Sequence, residues 1–439
     1  MTQDAPALWQ LLQASARVLA AVRAGRSTAT VFDHLDPALR AGAQALSLQV
    51  LRSLGLVQAL RRQLAPREPP AAADALLCTA LALVVADPPP YAPHTLVAQA
   101  VEAAKRDPAT AHQAAFINGC LRRMLRQQAS LQAAAQQQPE ARWNHPAWWI
   151  ARLQRDHPEH WQAVLASGGR PASIVLRINE RRLSRDECLR VWTQAGIDAE
   201  PTGHSGVQLA RSQPVTRLPG FAEGWFSVQD AAAQRAAPLL LDGLAPDGPR
   251  LRLLDACAAP GGKTAHLLER VDADVLALDI DAARIRRIQE NLDRLGLQAR
   301  VAVADAARPA DWWDGQVFDG ILLDAPCTAS GIVRRHPDVR WLRRDQDVAA
   351  LAQQQARLLL ALWPLLRPGG RLLYCTCSVF KAEGHEQVQA FLARHKDAQL
   401  LPSPGHLLPG LASADPSMSD NPMREHDGFF YALFQRGAP

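Results

Sequence analysis

The chain lacks several of the patterns that assign a protein to a class most quickly. No apolar run is long enough to span a bilayer, the first residues Met1-Thr2-Gln3-Asp4 carry no basic leader segment, and the early helical stretch is broken by Arg17 and Arg23. The expectation is a protein with neither secretory signal nor membrane span. Paired cysteines are also missing: the seven present are scattered at 78, 120, 188, 257, 327, 375 and 377, which excludes a secreted disulfide framework and suits a reducing cytoplasm. Cys375-x-Cys377 has the wrong spacing for a zinc knuckle and no second pair with nearby histidines accompanies it, so no metal is expected. The Gly-x-Gly-x-x-Gly fingerprint is absent, which argues against a nicotinamide cofactor. No heptad or exposed apolar strand is evident, and a monomer is expected.

What is present is a 439-residue chain, 48% hydrophobic and 21% charged, long enough for two or three domains with real cores. Residues 1–140 are dense in Ala, Leu, Gln and Arg, with Leu11, Leu12, Val18, Leu19 and Val22 at helical spacing, and predict an all-helical domain. Pro88-Pro89-Pro90-Tyr91-Ala92-Pro93 interrupts the pattern and His94-Thr95-Leu96-Val97 restarts it, with Thr95 placed to cap. A low-complexity Ala/Gln tract at 132–138 marks the domain edge. Residues 146–240 combine a helical piece holding Trp148, Trp149 and Trp161, read as core, with alternating runs such as 173–178 and a strand delivering Gln229 and Asp230. They predict a small α+β module. From 241 to 439, apolar runs at 251–255, 275–279, 301–305, 320–324 and 371–375 alternate with helical stretches, the order of a doubly wound α/β sheet. Four of these runs end in aspartate, at 255, 279, 305 and 324. Open α/β sheets bind ligands at the carboxyl ends of their strands, so these acids should face one crevice.

Asp255-Ala256-Cys257-Ala258-Ala259-Pro260-Gly261-Gly262-Lys263-Thr264 follows the first of these strands and opens a helix, and its small residues let a ligand approach the backbone closely. Its end imitates a phosphate-binding loop, but that pattern needs glycine at 257, where cysteine stands. An adenosine cofactor without a phosphate chain remains, and S-adenosylmethionine suits it: Asp279 would accept from the ribose hydroxyls and Asp305 from the adenine amino group. A lone aspartate would read as a helix cap or turn former; four in strand order favour the cofactor. Cys327 in Asp324-Ala325-Pro326-Cys327 and Cys377 in Cys375-Thr376-Cys377-Ser378 each follow an apolar run, and two thiols with a carboxylate point to covalent catalysis, a redox pair or a metal site. Cys78, Cys120 and Cys188 read as small buried hydrophobes, and Cys257 as packing in the loop. The net charge of +5 rests largely on arginine, densest in Arg334-Arg335-His336 and Arg340-Trp341-Leu342-Arg343-Arg344. This cluster is expected to grip a nucleic-acid backbone with Trp341 stacking a base; the alternative is a solvated helix face.

Cys257-Ala258-Ala259-Pro260-Gly261-Gly262-Lys263, Leu322-Leu323-Asp324-Ala325-Pro326-Cys327, Arg334-Arg335-His336-Pro337-Asp338, Thr376-Cys377-Ser378 and Asp427-Gly428-Phe429-Phe430-Tyr431 resemble the bacterial RNA cytosine-C5 methyltransferases, in particular the 16S rRNA methyltransferase B family, also called Sun or Fmu. His94-Thr95-Leu96-Val97, Glu102-Ala103-Ala104-Lys105 and Phe116-Ile117-Asn118-Gly119-Cys120-Leu121 resemble the antitermination factor NusB, which precedes the methyltransferase in that family. The resemblance implies a NusB-like RNA-binding domain at 1–140, a small α+β module at 146–240 and a Rossmann-like class I S-adenosylmethionine-dependent domain at 241–439.

It also implies roles. Cys377 would add to carbon 6 of cytosine, Cys327 would assist release, and Asp324 would stabilise the activated ring near nitrogen 3. Cys257, Ala258, Ala259, Pro260, Gly261, Gly262, Lys263, Asp279, Asp305 and Asp324 would form the cofactor site, and Arg334, Arg335, His336 and Arg340 would touch RNA. The substrate would be 16S rRNA, free or in a partly assembled small subunit, at cytosine 967; the nucleotide comes from the resemblance alone. DNA cytosine-C5 enzymes attack with the Pro-Cys cysteine, which makes Cys327 the rival nucleophile, while Thr376-Cys377-Ser378 favours the RNA assignment. Cys375 departs from the pattern, since relatives more often carry a small non-thiol residue there. Lys263 has three candidate partners: a substrate phosphate, Asp324 or the cofactor's carboxylate. The competing functions are the same chemistry on 23S rRNA or tRNA, an exocyclic-amine methyltransferase, which would need an Asn/Asp-Pro-Pro-aromatic loop, and a non-catalytic ribosome-assembly factor.

Overall fold

A computed structural model describes residues 6–245, 249–411 and 425–437. They fall into two compact units, Met1–Pro171 with Val333–Asp345 and Ala172–Ile332 with Gln346–Pro439. Among the described residues no helix is long and apolar enough to cross a membrane.

The first unit is helical, as its residue spacing predicts. Helix Ala71–Val84 is buried continuously from Ala73, as an all-round apolar helix must be. Helices Leu8–Arg23, Pro37–Arg52, Leu54–Leu64, Pro93–Arg106 and Ala114–Arg126 contribute their apolar stripes to the same core. Asp74, buried in that central helix, is neutralised by Arg23 at 2.7 Å and Arg61 at 2.9 Å. Helix Pro93–Arg106 opens on its proline with no side-chain cap, because a fixed φ and a missing N–H suit the first helical position; Thr95 lies inside the first turn and caps nothing. Helices Ala147–Asp156 and Trp161–Gly168 belong to this unit as well. Trp149 is buried, the core role expected, while Trp148 and Trp161 are half-buried, Trp161 packing edge-on against Trp143.

The segment Val333–Asp345 uses the expected RNA-gripping cluster as internal structure. Arg340 is fully buried and donates to the carbonyls of Gly168 at 2.6 Å, Asn144 at 3.2 Å and Val333 at 3.3 Å. Gly168 and Asn144 stand at helix C-termini, where carbonyls have no intrahelical donor, and the guanidinium fork supplies several N–H groups in fixed geometry. Arg334 is buried too, with its carbonyl accepting from Arg52 at 3.1 Å. Trp341 packs on the helical core and donates its indole N–H to Leu51 at 2.8 Å. Asp338 receives the N–H and hydroxyl of Thr28, both at 2.9 Å. The expectation that Arg334, Arg340 and Trp341 meet nucleic acid is therefore corrected. Arg335 is half-buried and His336 exposed.

The second unit begins with strands β1 Val175–Ile178, β2 Ala199–Thr202, β3 Gly206–Leu209 and β4 Phe226–Val228, antiparallel in the order β2-β3-β1-β4. Cys188 and Trp192 of helix Arg185–Gln194 pack against Leu176, Ile178, Val207 and Phe226 in its core. Arg177, fully buried on β1, forms a two-pronged ion pair with Glu269, both contacts at 2.8 Å, and donates to the Gly262 carbonyl at 3.0 Å and to the Gln229 side chain. The small sheet is thereby tied to helix Gly262–Arg270.

The large sheet holds β5 Leu251–Asp255, β6 Ala273–Asp279, β7 Arg300–Val303, β8 Phe318–Asp324, β9 Leu366–Thr376, β10 Ala398–Leu407 and β11 Phe429–Arg436 in the order β10-β11-β9-β8-β5-β6-β7. Strands β5 to β9 pair in parallel, while β11 and β10 add an antiparallel edge. Apolar clusters cover both faces, the burial that a parallel sheet requires. The strand order turns about β5, whose neighbours are β6 and β8, and the crevice of such a fold lies at the carboxyl ends there.

Arg340→Ala leaves helix-end carbonyls buried without donors, so it should lower stability by about 2–4 kcal/mol. A fallen unfolding midpoint for the purified full chain is the expected result, and an unchanged one would contradict the structural role.

Candidate active site

Strands β8 and β9 run in parallel with Asp324 opposite Cys375. Past this pair both segments turn into loops held to one another, with the Ala325 N–H donating to the Cys375 carbonyl and the Gly331 N–H to that of Cys377, both at 2.9 Å. The two cysteines carried on these loops come together: Cys327 Sγ lies 3.4 Å from Cys377 Sγ, and both are partly exposed. Gly331 and Gly428 meet backbone to backbone, and a Cβ on Gly331 would stand 2.0 Å from the Gly428 carbonyl oxygen. A Cβ on Gly428 would in turn stand 2.8 Å from the Gly331 Cα and 2.6 Å from Val379, which explains why glycine precedes the aromatic pair at 429–430.

Lys263, in the first turn of helix Gly262–Arg270, places its Nζ 2.6 Å from Asp324 Oδ2. Of its three candidate partners, Asp324 is the one it meets in this structure. Burial alone would lower the lysine's pKa, but Asp324 holds it raised, so it is an ammonium throughout the neutral range. The Cys375 thiol donates to the other carboxylate oxygen at 3.5 Å and is fully buried, which together with the charge of Asp324 pushes its pKa far up. Cys327 is also held well above the ordinary thiol range, by its hydrogen bond with Cys377 and by burial. At neutral pH the site thus holds two cysteines that favour the thiol form, Cys327 and Cys375, around an ion-paired carboxylate. Burial drives the Cys257 thiol up likewise, and those of Cys78 and Cys188 to about 12.

The loop from Cys257 to Gly261 folds over the end of β6. The Ala258 N–H donates to Leu278 at 2.8 Å and the Ala259 N–H to Asp279 Oδ2 at 3.2 Å, while Arg284 reaches the Ala259 carbonyl at 2.9 Å and the Asp279 carboxylate at 3.3 Å. Gly261 has φ +94° and its Cα approaches helix Ala282–Leu295, where a Cβ would meet Ile288 at 3.1 Å; only glycine fits both constraints. A Cβ on Gly262 would meet nothing nearer than Gln229 at 4.0 Å, so the loop's exit is open. Asp279 is nearly buried and Asp305, just past β7, is half-exposed with one oxygen on the Ala307 N–H at 2.9 Å.

One of the four strand-ending acids departs from the expected arrangement. Asp255 is fully buried and bound by the Thr264 hydroxyl at 2.6 Å, so it serves the packing of the helix instead of facing the crevice. Burial pushes its pKa up to about 7, and its Oδ1 is buried without a hydrogen-bond partner. A residue unread in the sequence is Ile280, an exposed large hydrophobe (69%) directly after Asp279. Its signal was present as an apolar residue following a strand-ending acid.

Residues 243–435 match the family described as 16S rRNA methyltransferase RsmB/F, residues 145–216 the ferredoxin-like domain of RsmF/B-like methyltransferases, and residues 9–126 the NusB family. The ribosomal RNA small subunit methyltransferase B of Vibrio cholerae is 44% identical over 347 residues, covering 78% of this chain and 77% of that protein. Its namesake from Cronobacter sakazakii is 45% identical over 347 residues, 77% of each. Among solved structures, a methyltransferase homolog from Pyrococcus horikoshii superposes with a TM-score of 0.56 at 27% identity, over 68% of this chain and 97% of the other. The structure of the protein PH0851 gives a TM-score of 0.74 at 24% identity over 97% and 99%, a likeness of fold.

Because the folded Asp255 binds its proton more tightly than the unfolded one, stability from this group is present at low pH and lost as pH rises from about 4 to about 7, at about 1.4 kcal/mol per unit. Asp255→Asn cannot ionise. The stability difference, variant minus wild type, should therefore become more favourable to the variant between pH 4 and pH 8 in denaturant titrations; a difference independent of pH would contradict the assignment.

Proposed function

The chain belongs to the 16S rRNA methyltransferase RsmB/F family, and from that membership we propose that it methylates carbon 5 of a cytosine in 16S rRNA through a covalent adduct with Cys377, the nucleotide being cytosine 967 as the sequence resemblance to the methyltransferase B family implies. The observation that carries this reading is the pair of sulfurs 3.4 Å apart beside the Lys263–Asp324 ion pair. S-adenosylmethionine would supply the electrophilic methyl group. The donor set suits it: Asp279 and Asp305 are acceptors at neighbouring strand ends, Ile280 offers an apolar face beside them, and the Cys257–Gly262 loop leaves space at the helix start.

Carbon 5 of cytosine is a poor nucleophile. Addition of the Cys377 thiolate to carbon 6 forms a C–S bond and pushes the ring electrons toward nitrogen 3, where Asp324 shares a proton drawn from the Lys263 ammonium. Carbon 5 then has enamine character and takes the methyl group. For release, the carbon-5 proton leaves and the C6–S bond breaks with its electron pair returning to Cys377. The carbon-5 proton passes to solvent water, Asp324 and Lys263 take back the proton shared with nitrogen 3, and the Cys327 S–H hydrogen-bonds the departing Cys377 thiolate. Its raised pKa keeps it a thiol, which suits this donor role.

In this reading the regions 1–140, 146–240 and 241–439 divide the work into docking of structured RNA, support of the catalytic sheet and chemistry. The target base must leave its stack to reach the sulfur, so a loop or an incompletely assembled subunit is an easier substrate than a duplex. Arg335 and His336 remain the RNA contacts of the basic segment, and the protein works as a monomer in the cytoplasm.

The test is transfer of labelled methyl from S-adenosylmethionine to unmodified 16S rRNA, 23S rRNA and tRNA, with the product nucleoside identified. Label in 5-methylcytidine of 16S rRNA alone is expected. Label in another nucleoside would overturn the thiol mechanism, and label in another RNA would overturn the substrate.

A further inference from the structure

Thr328 follows Cys327 and Ser378 follows Cys377, and the side chains of both end on one buried carboxylate. Glu383 is fully buried in the turn Lys381–Glu383. Its Oε1 accepts from the Thr328 N–H at 2.8 Å and from Gln355 Nε2 at 3.1 Å. Its Oε2 accepts from the hydroxyls of Thr328 at 2.5 Å and Ser378 at 2.6 Å. The same Gln355 amide donates to the carbonyl of Pro326, the residue before Cys327, at 2.9 Å. The backbone carbonyl of Glu383 is held in turn by the hydroxyls of Tyr374 at 2.7 Å and Thr376 at 3.2 Å, both on β9.

Four donors converge on this one carboxylate, and such charge-assisted bonds are the strong and directional ones. Two come from the residue after the first cysteine and one from the residue after the second. We propose that Glu383 is a positioning residue that sets the spacing of Cys327 and Cys377, and with it the transfer of roles from adduct formation at one sulfur to release at the other. The assignment of those roles rests on the function proposed above; the spacing itself does not. The fixed point explains why two loops leaving different strands keep their sulfurs 3.4 Å apart without a covalent bond.

The test compares full-length wild type with Glu383→Ala and Glu383→Gln in two measurements. The first is the rate at which diamide joins Cys327 to Cys377 as a disulfide, followed by peptide mass, which needs no RNA and no methyl transfer. The second is single-turnover methyl transfer alongside RNA affinity. Glu383→Ala should slow both the cross-link and methyl transfer by about 100-fold, the cost of displacing a reacting group by about 1 Å, with RNA affinity unchanged. Glu383→Gln keeps length and shape but turns one acceptor into a donor, and should give about 10-fold in each; it carries the test if the alanine variant does not fold. A carboxylate that only stabilises the fold would lower the unfolding midpoint and leave the cross-linking rate of the folded protein at the wild-type value. That result in either folded variant overturns the proposal. Slowed cross-linking upholds it even where no RNA accepts a methyl group, an outcome that would instead remove the proposed reaction.

Discussion

The active site depends on the register between β8 and β9. With Asp324 opposite Cys375, the third residue beyond one strand end and the second residue beyond its partner are delivered to the same place, and Lys263 reaches Asp324 from the neighbouring helix. A shift of one residue would turn every side chain on the shifted strand to the opposite face and separate the thiols from the carboxylate. Register is secured by burial: Leu322, Leu323, Leu373, Tyr374 and Cys375 are all buried, alternating between the two faces of the sheet. The same pairing gives Cys375 a reason to be a small side chain, since it packs beneath Asp324 and offers it a weak donor.

Electrostatics at the site follow from partial burial and pairing. One ammonium, Lys263, is retained in a partly buried position because Asp324 compensates it, while Cys327 is kept a thiol by its hydrogen bond with Cys377 and by burial, and Cys375 by burial and the charge of Asp324. Asp255 shows the other outcome: with a hydroxyl donor and no salt bridge, its carboxyl is driven toward the neutral form. Two aspartates at the ends of adjacent strands thus have different partners: Asp324 meets an ammonium at 2.6 Å and Asp255 a hydroxyl at 2.6 Å.

Much of this was legible in the order of residues. Apolar runs ending in aspartate announced the parallel strands, and the small-residue loop before Lys263 announced where a helix starts at a ligand crevice. Other features were not. β11, Phe429-Phe430-Tyr431-Ala432-Leu433-Phe434, has no alternation because both its faces are buried, and β10 carries Pro402, Pro404 and Gly405 at an edge with a register shift, so neither shows a strand period. The basic segment misled because charge was read as exposure: Arg340 points inward to helix-end carbonyls, and its partners Asn144 and Gly168 lie more than 170 residues away in the chain. Glu383 was unreadable for the same reason, as its donors are assembled only by the fold.

The proposed chemistry turns on which sulfur bonds to the substrate. The decisive measurement is denaturing electrophoresis of Cys327→Ala incubated with unmodified 16S rRNA and S-adenosylmethionine, beside Cys377→Ala and the double variant. The account predicts a stable protein–RNA band in Cys327→Ala that is absent from the other two. A band in Cys377→Ala, with Cys327 intact, would make Cys327 the nucleophile and contradict it.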